Sequence, residues 1–206
     1  MKSVSYSVIA ALAAVVSLSA QESSHLAFQV GAGFTEPVGR TGIYSDVGFN
    51  TSAGIGYNFN PYVGVLIDAN VNSLGVNSAT LSNIGVQGGN VNVFSATLDP
   101  IVHLTPHEKV DVYFTGGGGE YRRSQIFVAP IAPGNFGAAP YLGLTSPSNQ
   151  LAYSSSVNKP GVDIGMGIAF GSKWGGKFYA EARYNKIFLG GYYNMEFEPV
   201  TFGYRW

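Results

Sequence analysis

Seven charged residues occupy positions that would let their side chains share one enclosed surface. They are Asp68, Asp99, Asp111, Asp163, Glu181, Arg183 and Arg205. Each lies in a stretch where apolar and polar residues alternate with a period of two, and each has the polar parity. Because enclosed charges must pair or accept hydrogen bonds, the set predicts a network of ion pairs. Such a network is either a structural plug or a gate for small solutes, and acidic walls would favour cations.

Eight alternating segments carry these residues. They span 26–34, 49–59, 62–72, 93–104, 110–121, 162–170, 177–188 and 197–206, and Pro100 marks a bulge or an early end of the fourth. An apolar strand at 200–206 would be an aggregation-prone edge, and a barrel removes that edge by pairing the last strand with the first. The sequence therefore predicts an all-β fold, an eight-stranded antiparallel up-and-down transmembrane β-barrel.

The connections between the segments alternate in length. Those after the first, third and fifth segments are long, at about 37–48, 73–92 and 122–161, and those after the second, fourth and sixth are short. Short periplasmic turns and longer outer loops on an even strand number are typical of outer-membrane barrels. A charge on the lipid face costs roughly 2–4 kcal/mol for Lys or Arg, so the seven charges are expected in the lumen.

A soluble eight-stranded barrel of the lipocalin type is the alternative architecture, with the apolar stripe inside and the charges outside. Alternation alone does not separate the two. Aromatic residues near the strand ends favour the membrane barrel. They are Tyr57, Phe59, Tyr62, Phe170, Trp174, Phe178, Tyr204 and Trp206.

Composition narrows the class of protein further. The chain has 206 residues, of which only 11% are charged, and its net charge of -1 argues against a nucleic-acid partner. The absence of Cys excludes disulfides and thiolate metal sites. Residues 1–20 are expected to be a signal peptide, with Lys2 before an apolar run at 8–18 and small residues up to Ala20. The barrel domain would then span 21–206.

These residues resemble the small outer-membrane barrels of Gram-negative bacteria, the OmpA/OmpX/opacity-like group, over 21–206. Phe202, Tyr204 and Trp206 match the aromatic C-terminal assembly signal of that family, although Gly203 lies nearer the end than the glycine often found there. The resemblance implies a monomer in the bacterial outer membrane, inserted by the barrel-assembly machinery. It also implies contacts with membrane lipid and lipopolysaccharide, and no cofactor.

Two charge clusters are expected inside such a barrel. Arg183 would lie centrally with Asp68, and Glu181 shares its face. Arg205 would lie near the periplasmic end, with Asp99, Asp111 and His103 close to it.

Glycines with the inward parity indicate either curvature or a continuous water path or ligand cavity, and Tyr113 and Tyr179 are placed to cover such gaps. These glycines are Gly31, Gly33, Gly48, Gly54, Gly56, Gly64, Gly165, Gly167 and Gly203.

No catalytic or metal-binding motif stands out. His25, His103 and His107 all map to the periplasmic half, and none has a serine and a carboxylate at a suitable spacing. An outer carboxylate group for calcium has only a weak basis in the sequence. It would consist of Asp46, Glu120, Glu196 and Glu198.

The outer loops carry the remaining functional expectation. Region 126–156 is apolar enough to meet a partner or to cover the barrel mouth, and Arg122 and Arg123 at its base could contact lipopolysaccharide phosphates. Its apolar residues are Ile126, Phe127, Ile131, Phe136, Tyr141, Leu142 and Leu144. We therefore expect a structural or surface-interaction role, adhesion-like and without catalysis. The alternative is a narrow passive pore with a charged lumen.

Overall fold

The computed structural model describes residues 25–130, 150–172, 175–190 and 193–206, so the expected signal peptide at 1–20 lies outside the described residues. Within these ranges the chain forms eight strands and two short helices. In chain order they are β1 (Leu26–Pro37), α1 (Thr41–Tyr44), β2 (Ser45–Asn58), β3 (Val63–Val76), α2 (Ser78–Ile84), β4 (Gly88–His103), β5 (Val110–Pro130), β6 (Gln150–Gly171), β7 (Lys177–Ile187) and β8 (Met195–Arg205).

The strands form one closed barrel in which each strand is antiparallel to its neighbours and β8 pairs with β1. Two backbone hydrogen bonds complete this seam. The Phe28 N–H donates to the Trp206 carbonyl oxygen at 2.8 Å, and the Trp206 N–H donates to the Phe28 carbonyl oxygen at 3.0 Å. The predicted eight-stranded antiparallel barrel is confirmed.

The strands extend further at the outer end than the alternating pattern predicts. Residues 122–130 and 150–158, expected as loop, continue β5 and β6 in an unbroken register, with Arg122 opposite Asn158 and Pro130 opposite Gln150. This part of the hairpin lacks an apolar stripe, because Ser124 pairs with Ser156 and Ile126 with Ser154. Backbone pairing continues above the level at which a lipid-facing stripe is needed.

The expectation that Pro100 ends or bulges the fourth strand is wrong. β4 continues to His103, and Pro100 lies opposite Val65 of β3 without a shift of register. A proline removes only one backbone donor, and the strand tolerates that loss here.

A belt of exposed apolar side chains surrounds the barrel. Ile67, Leu98, Ile164 and Phe202, for example, are each more than half exposed. The charged residues predicted for the lumen point inward, and Asp68, Asp99 and Asp111 are at most 1% exposed. This arrangement is the inverse of a lipocalin-type barrel, and it matches a barrel whose outer face meets lipid. No helix in the described part of the chain is long and apolar enough to cross a membrane.

Candidate functional site

The Arg183 guanidinium occupies the centre of the lumen and meets carboxylates from four strands. Its Nη1 lies 2.6 Å from Asp99 Oδ2 on β4 and 3.3 Å from Asp163 Oδ1 on β6. Its Nε lies 2.5 Å from Glu181 Oε1 on β7 itself, and its Nη2 lies 3.3 Å from Asp68 Oδ2 on β3. The Asp68 contact is an ion pair without hydrogen-bond geometry, since Nη2 has no hydrogen-bond partner within the described ranges. One inward arginine thus connects strands on opposite walls.

Asp99 belongs to this central cluster, so its expected place beside Arg205 is wrong. Besides Arg183, the Asp99 carboxylate accepts a hydrogen bond from Thr97 Oγ1 at 2.9 Å. Strand pairing explains the error: the register that pairs Leu98 with Gly118, and Gly117 with Asp163, brings Asp99 level with Asp163.

Arg205 lies closer to the periplasmic end and has different partners from those expected. Its Nη2 donates to Gln29 Oε1 at 2.7 Å, and its Nη2 lies 4.0 Å from Glu181 Oε2. The guanidinium carbon is 4.7 Å from the ring centre of Tyr113 and 5.3 Å from that of Tyr179. Arg205 is therefore held by an amide and two aromatic faces.

Asp111 forms a separate group with His103 and Lys177. Its Oδ2 lies 2.7 Å from His103 Nδ1 and 2.9 Å from Lys177 Nζ. The expected proximity of Asp111 and His103 is therefore present, but Lys177 takes the place assigned to Arg205. Lys177 shares the parity of Glu181 and Arg183, and this signal was missed because the residue opens its strand.

The ion-paired residues in the central and periplasmic parts of the lumen carry an excess of negative charge. The seven predicted residues together with Lys177 comprise five acids and three cations, so the formal sum is 3 − 5 = −2. This excess lies around Arg183, where Asp99 Oδ1 and Glu181 Oε2 are buried and have no hydrogen-bond partner in the described part of the chain.

Large lumen side chains fill the space left by inward glycines. A Cβ added at Gly167 would overlap the Tyr113 ring, and one added at Gly31 would lie 2.5 Å from Tyr179 Oη. A Cβ at Gly165 would lie 2.6 Å from Arg183 Cγ. At these positions the glycines make room for the side chains of Tyr113, Tyr179 and Arg183, as expected for the two tyrosines. They do not form a water path.

An apolar plug, which alternation did not reveal, closes the outer end of the lumen. Leu74, Val93, Ile187 and Phe197 are each 0% exposed and pack together inside the barrel. Tyr121 joins this apolar plug to the charged cluster, because its Oη donates to Asp163 Oδ2 at 3.3 Å. The sequence does contain a sign of this plug. Near the outer ends of the strands the alternation of apolar and polar residues breaks down, and apolar residues occupy both inward and outward positions.

The remaining predicted residues lie at the two ends of the barrel. The periplasmic end opens into a cavity of about 670 Å³ lined by His25, His107 and Trp206, among others. At the outer rim, Glu196 pairs with Lys186 at 2.9 Å, which differs from the calcium group considered above. The described residues contain no group of three or more His, Asp or Glu side chains that could hold a metal ion.

The C-terminal aromatics and the outer hairpin have contrasting environments. Phe202 is 54% exposed on the lipid face, and the Tyr204 ring lies 5.7 Å from that of Trp206. In the hairpin, Ile126 is exposed, whereas Phe127 packs against the apolar plug. The other apolar residues expected there lie outside the described residues: Ile131, Phe136, Tyr141, Leu142 and Leu144.

Solved structures of small outer-membrane barrels are similar to this one. Neisserial surface protein A is 13% identical with a TM-score of 0.57, over 88% of this chain and 96% of that chain. Ail, the attachment invasion locus protein of Yersinia pestis, is 18% identical with a TM-score of 0.47, over 88% of this chain and 97% of that one. OprG from Pseudomonas aeruginosa is 12% identical with a TM-score of 0.49, over 87% and 95%. At such identities the likeness to the Neisserial protein concerns the fold alone.

A family model gives the decisive comparison. No curated protein matches the chain. The model described as "Outer membrane protein beta-barrel domain" matches residues 8–206. The predicted resemblance to the OmpA/OmpX group of small barrels is confirmed by this match together with the closed eight-stranded fold. The chain belongs to the outer-membrane β-barrel family.

Proposed function

We propose that this outer-membrane barrel is a non-conducting scaffold that holds its outer residues at the cell surface for interaction with a partner. The apolar plug carries this proposal. Four side chains with no exposed surface, Leu74, Val93, Ile187 and Phe197, fill the lumen above the charged cluster. An apolar constriction resists wetting, and ions do not cross it without water.

Two further layers support a closed lumen. Arg183 and its four carboxylates fill the middle of the barrel, and each of these five side chains is buried. Below them, Tyr113 and Tyr179 flank Arg205. The lumen is thus filled at three levels, by apolar side chains, by an ion-pair cluster and by aromatic rings around Arg205. This filling supports a structural role for the barrel.

We propose that the barrel has no catalytic role. The imidazole contacts support this view: His103 bonds Asp111, His25 bonds the Asn58 carbonyl oxygen, and His107 lies edge-on to Tyr62. None of these contacts pairs a histidine with a hydroxyl nucleophile, which acyl transfer would need.

The route to the membrane follows from the same proposal. Residues 1–20 would direct export as a signal peptide, and Phe202, Tyr204 and Trp206 would be read by the barrel-assembly machinery. The mature protein would act as a monomer in contact with lipid and lipopolysaccharide, without a cofactor or nucleic-acid partner.

A narrow pore for small cations is the competing function, and the acidic excess around Arg183 is the observation in its favour. The discriminating experiment is single-channel recording from refolded protein in a planar bilayer, with heat-dependent gel mobility as the check of folding. We expect silence under conditions in which a reconstituted porin conducts. Steady cation-selective steps that change in Arg183→Ala would overturn the scaffold proposal.

Attachment tests the surface role directly. A variant in which a short turn replaces residues 126–154 shortens the outer hairpin and leaves the lipid-facing part of β5 and β6 intact. We expect cells displaying this variant to attach less to a target surface while its gel mobility stays that of a folded barrel. Equal attachment by both forms would argue against an interaction role for this hairpin.

A further inference from the structure

A pocket of about 390 Å³ lies at the outer mouth of the barrel, above the apolar plug. Val91, Leu189 and Met195 line it, and all three belong to the apolar plug or pack against it. Its volume is within the range of roughly 300–1,000 Å³ that is usual for small-molecule sites. The pocket therefore combines an apolar base, closed toward the lumen, with an opening toward the cell exterior.

The walls of this pocket are cationic and aromatic. Arg40 and Arg123 both line it, together with Tyr44 and Tyr193, and none of the lining residues in the described part of the chain is acidic. Within the described residues, neither guanidinium forms an ion pair with a carboxylate. Arg40 lies over the Tyr193 ring at 5.3 Å, and Arg123 donates from Nη2 to Gln125 Oε1 at 2.8 Å. The Arg123 Nε is buried and has no hydrogen-bond partner among the residues that the structure describes.

Hydrogen bonds between outer segments fix the shape of the pocket. The Glu196 N–H donates to Thr41 Oγ1 at 2.9 Å, which ties α1 to β8. On its other side, Asn77 Nδ2 donates to the Ile43 carbonyl oxygen at 2.6 Å, and the Asn77 N–H donates to the Tyr44 carbonyl oxygen at 3.0 Å. Arg40 and Tyr44 thus stand on a braced segment, and Arg123 stands on a paired strand.

We propose that this pocket binds a sugar ring that carries a carboxylate or phosphate group. The two guanidinium groups, neither paired with a carboxylate of the described residues, supply forked donors for the anion, a geometry suited to binding carboxylate or phosphate. The apolar base and the Tyr44 ring accept the C–H face of a pyranose, while Arg40 already covers one face of the Tyr193 ring. This inference rests on the proposed surface role and specifies a ligand class for it.

Acidic sugars reach the outer mouth from two sources, the lipopolysaccharide of the protein's own membrane and the glycans of another surface. The chemistry that the pocket recognises is the same for both. The binding experiment therefore first uses soluble acidic sugars. It then compares membranes that contain lipopolysaccharide with membranes that lack it.

The test is calorimetric titration of the refolded full chain in detergent micelles with glucuronate, glucose 6-phosphate and neutral glucose. We expect both acidic sugars to bind at least about tenfold more tightly than glucose, since only they engage the arginines. Arg40→Gln or Arg123→Gln should weaken binding of glucuronate by about tenfold or more. Equal binding of glucose and glucuronate would overturn the proposal.

Arg122 provides the matched control. It is the next residue on β5, its side chain is exposed on the outward face, and Arg122→Gln removes the same charge without touching the pocket. We expect Arg122→Gln to bind glucuronate within about twofold of the unmodified chain. If Arg122→Gln and Arg123→Gln weaken binding equally, the attraction is diffuse surface charge and the pocket is not the site.

Nanodiscs with and without lipopolysaccharide then distinguish the two sources. Weaker glucuronate binding in lipopolysaccharide discs identifies the protein's own membrane sugar as the occupant, and equal binding identifies an external glycan. The outcomes also separate this inference from the scaffold proposal. If the barrel does not conduct and binds no acidic sugar, only the pocket proposal is contradicted. If it conducts and binds glucuronate, only the scaffold proposal is contradicted.

Discussion

Arg183 Nη1 lies 2.6 Å from Asp99 Oδ2 although the two residues are 84 positions apart and stand on β7 and β4, which are not adjacent strands. The contact crosses the lumen and ties two walls of the barrel. It does so beside three more carboxylates, so the arginine compensates a group of charges that would otherwise repel one another.

Replacing Arg183 with Met should therefore destabilise the barrel strongly. The substitution preserves much of the side-chain volume and leaves four buried carboxylates without their cation. We expect a loss of at least about 3–5 kcal/mol in the free energy of unfolding, the range for breaking a buried ion pair. Urea unfolding of the barrel refolded in lipid vesicles measures it. Arg122→Met is the control on an exposed site and should change stability by no more than about 0.5 kcal/mol.

Glycine at 167 is required by the Tyr113 ring. Gly167→Ala places a methyl group against that ring, and we expect destabilisation of about 1–3 kcal/mol from overpacking. Combining it with Tyr113→Leu should recover part of the loss, which a double-mutant cycle of unfolding free energies detects. At Gly171 an added Cβ would meet no atom of the described residues within 4 Å, so Gly171→Ala should be nearly neutral. Equal effects at both glycines would mean that backbone freedom, rather than Tyr113, explains the requirement.

Depth in the membrane can be mapped with arginine on one face of β6. Met166 is 53% exposed in the apolar belt, and Ser154 has the same parity on the part of the strand above it. Met166→Arg should cost about 2–4 kcal/mol, the value for a cation near the bilayer midplane, and Ser154→Arg should cost about 0–1 kcal/mol. Unfolding from vesicles of defined thickness provides the comparison. A similar cost for both variants would contradict the position that we assign to the lipid boundary.

The apolar plug should respond to truncation as a core does. Phe197 is 0% exposed inside the barrel, whereas Phe114 is 45% exposed on its outer face. Phe197→Ala leaves a cavity and should lower the free energy of unfolding by about 3–5 kcal/mol. Phe114→Ala leaves a gap that lipid chains can fill, so we expect a smaller loss in the same unfolding assay.

The number of strands and the direction in which each side chain points were predictable, because every outward position within the lipid must be apolar. Asp163 and Glu181 could be placed in the lumen since the alternative is a charge in hydrocarbon. Their partners could not be read from parity, because a lumen side chain crosses to any wall within its reach. Asp99 illustrates this, because it stands on β4 and its cation, Arg183, stands on β7.

The outer end was harder to predict for a different reason. Above the lipid boundary, outward positions are no longer required to be apolar, so the continuation of β5 and β6 through Ser124 and Ser156 carried no stripe. Inward positions there, such as Val93 and Phe197, are apolar because they meet one another rather than water. The pocket at Arg40 and Arg123 depends on side chains from four separate outer segments, and their meeting is a property of the closed barrel.

The unbroken pairing of 122–130 with 150–158 also sets a height. A strand advances about 3.4 Å per residue and barrel strands tilt by about 35–45°, so this ribbon rises roughly 22–25 Å along the barrel axis above the level of Tyr121. That length is comparable to the thickness of a bilayer's hydrocarbon core. The distal end of the ribbon therefore stands well above the apolar belt, so a partner that contacts it would do so at a distance from the lipid-facing part of the barrel.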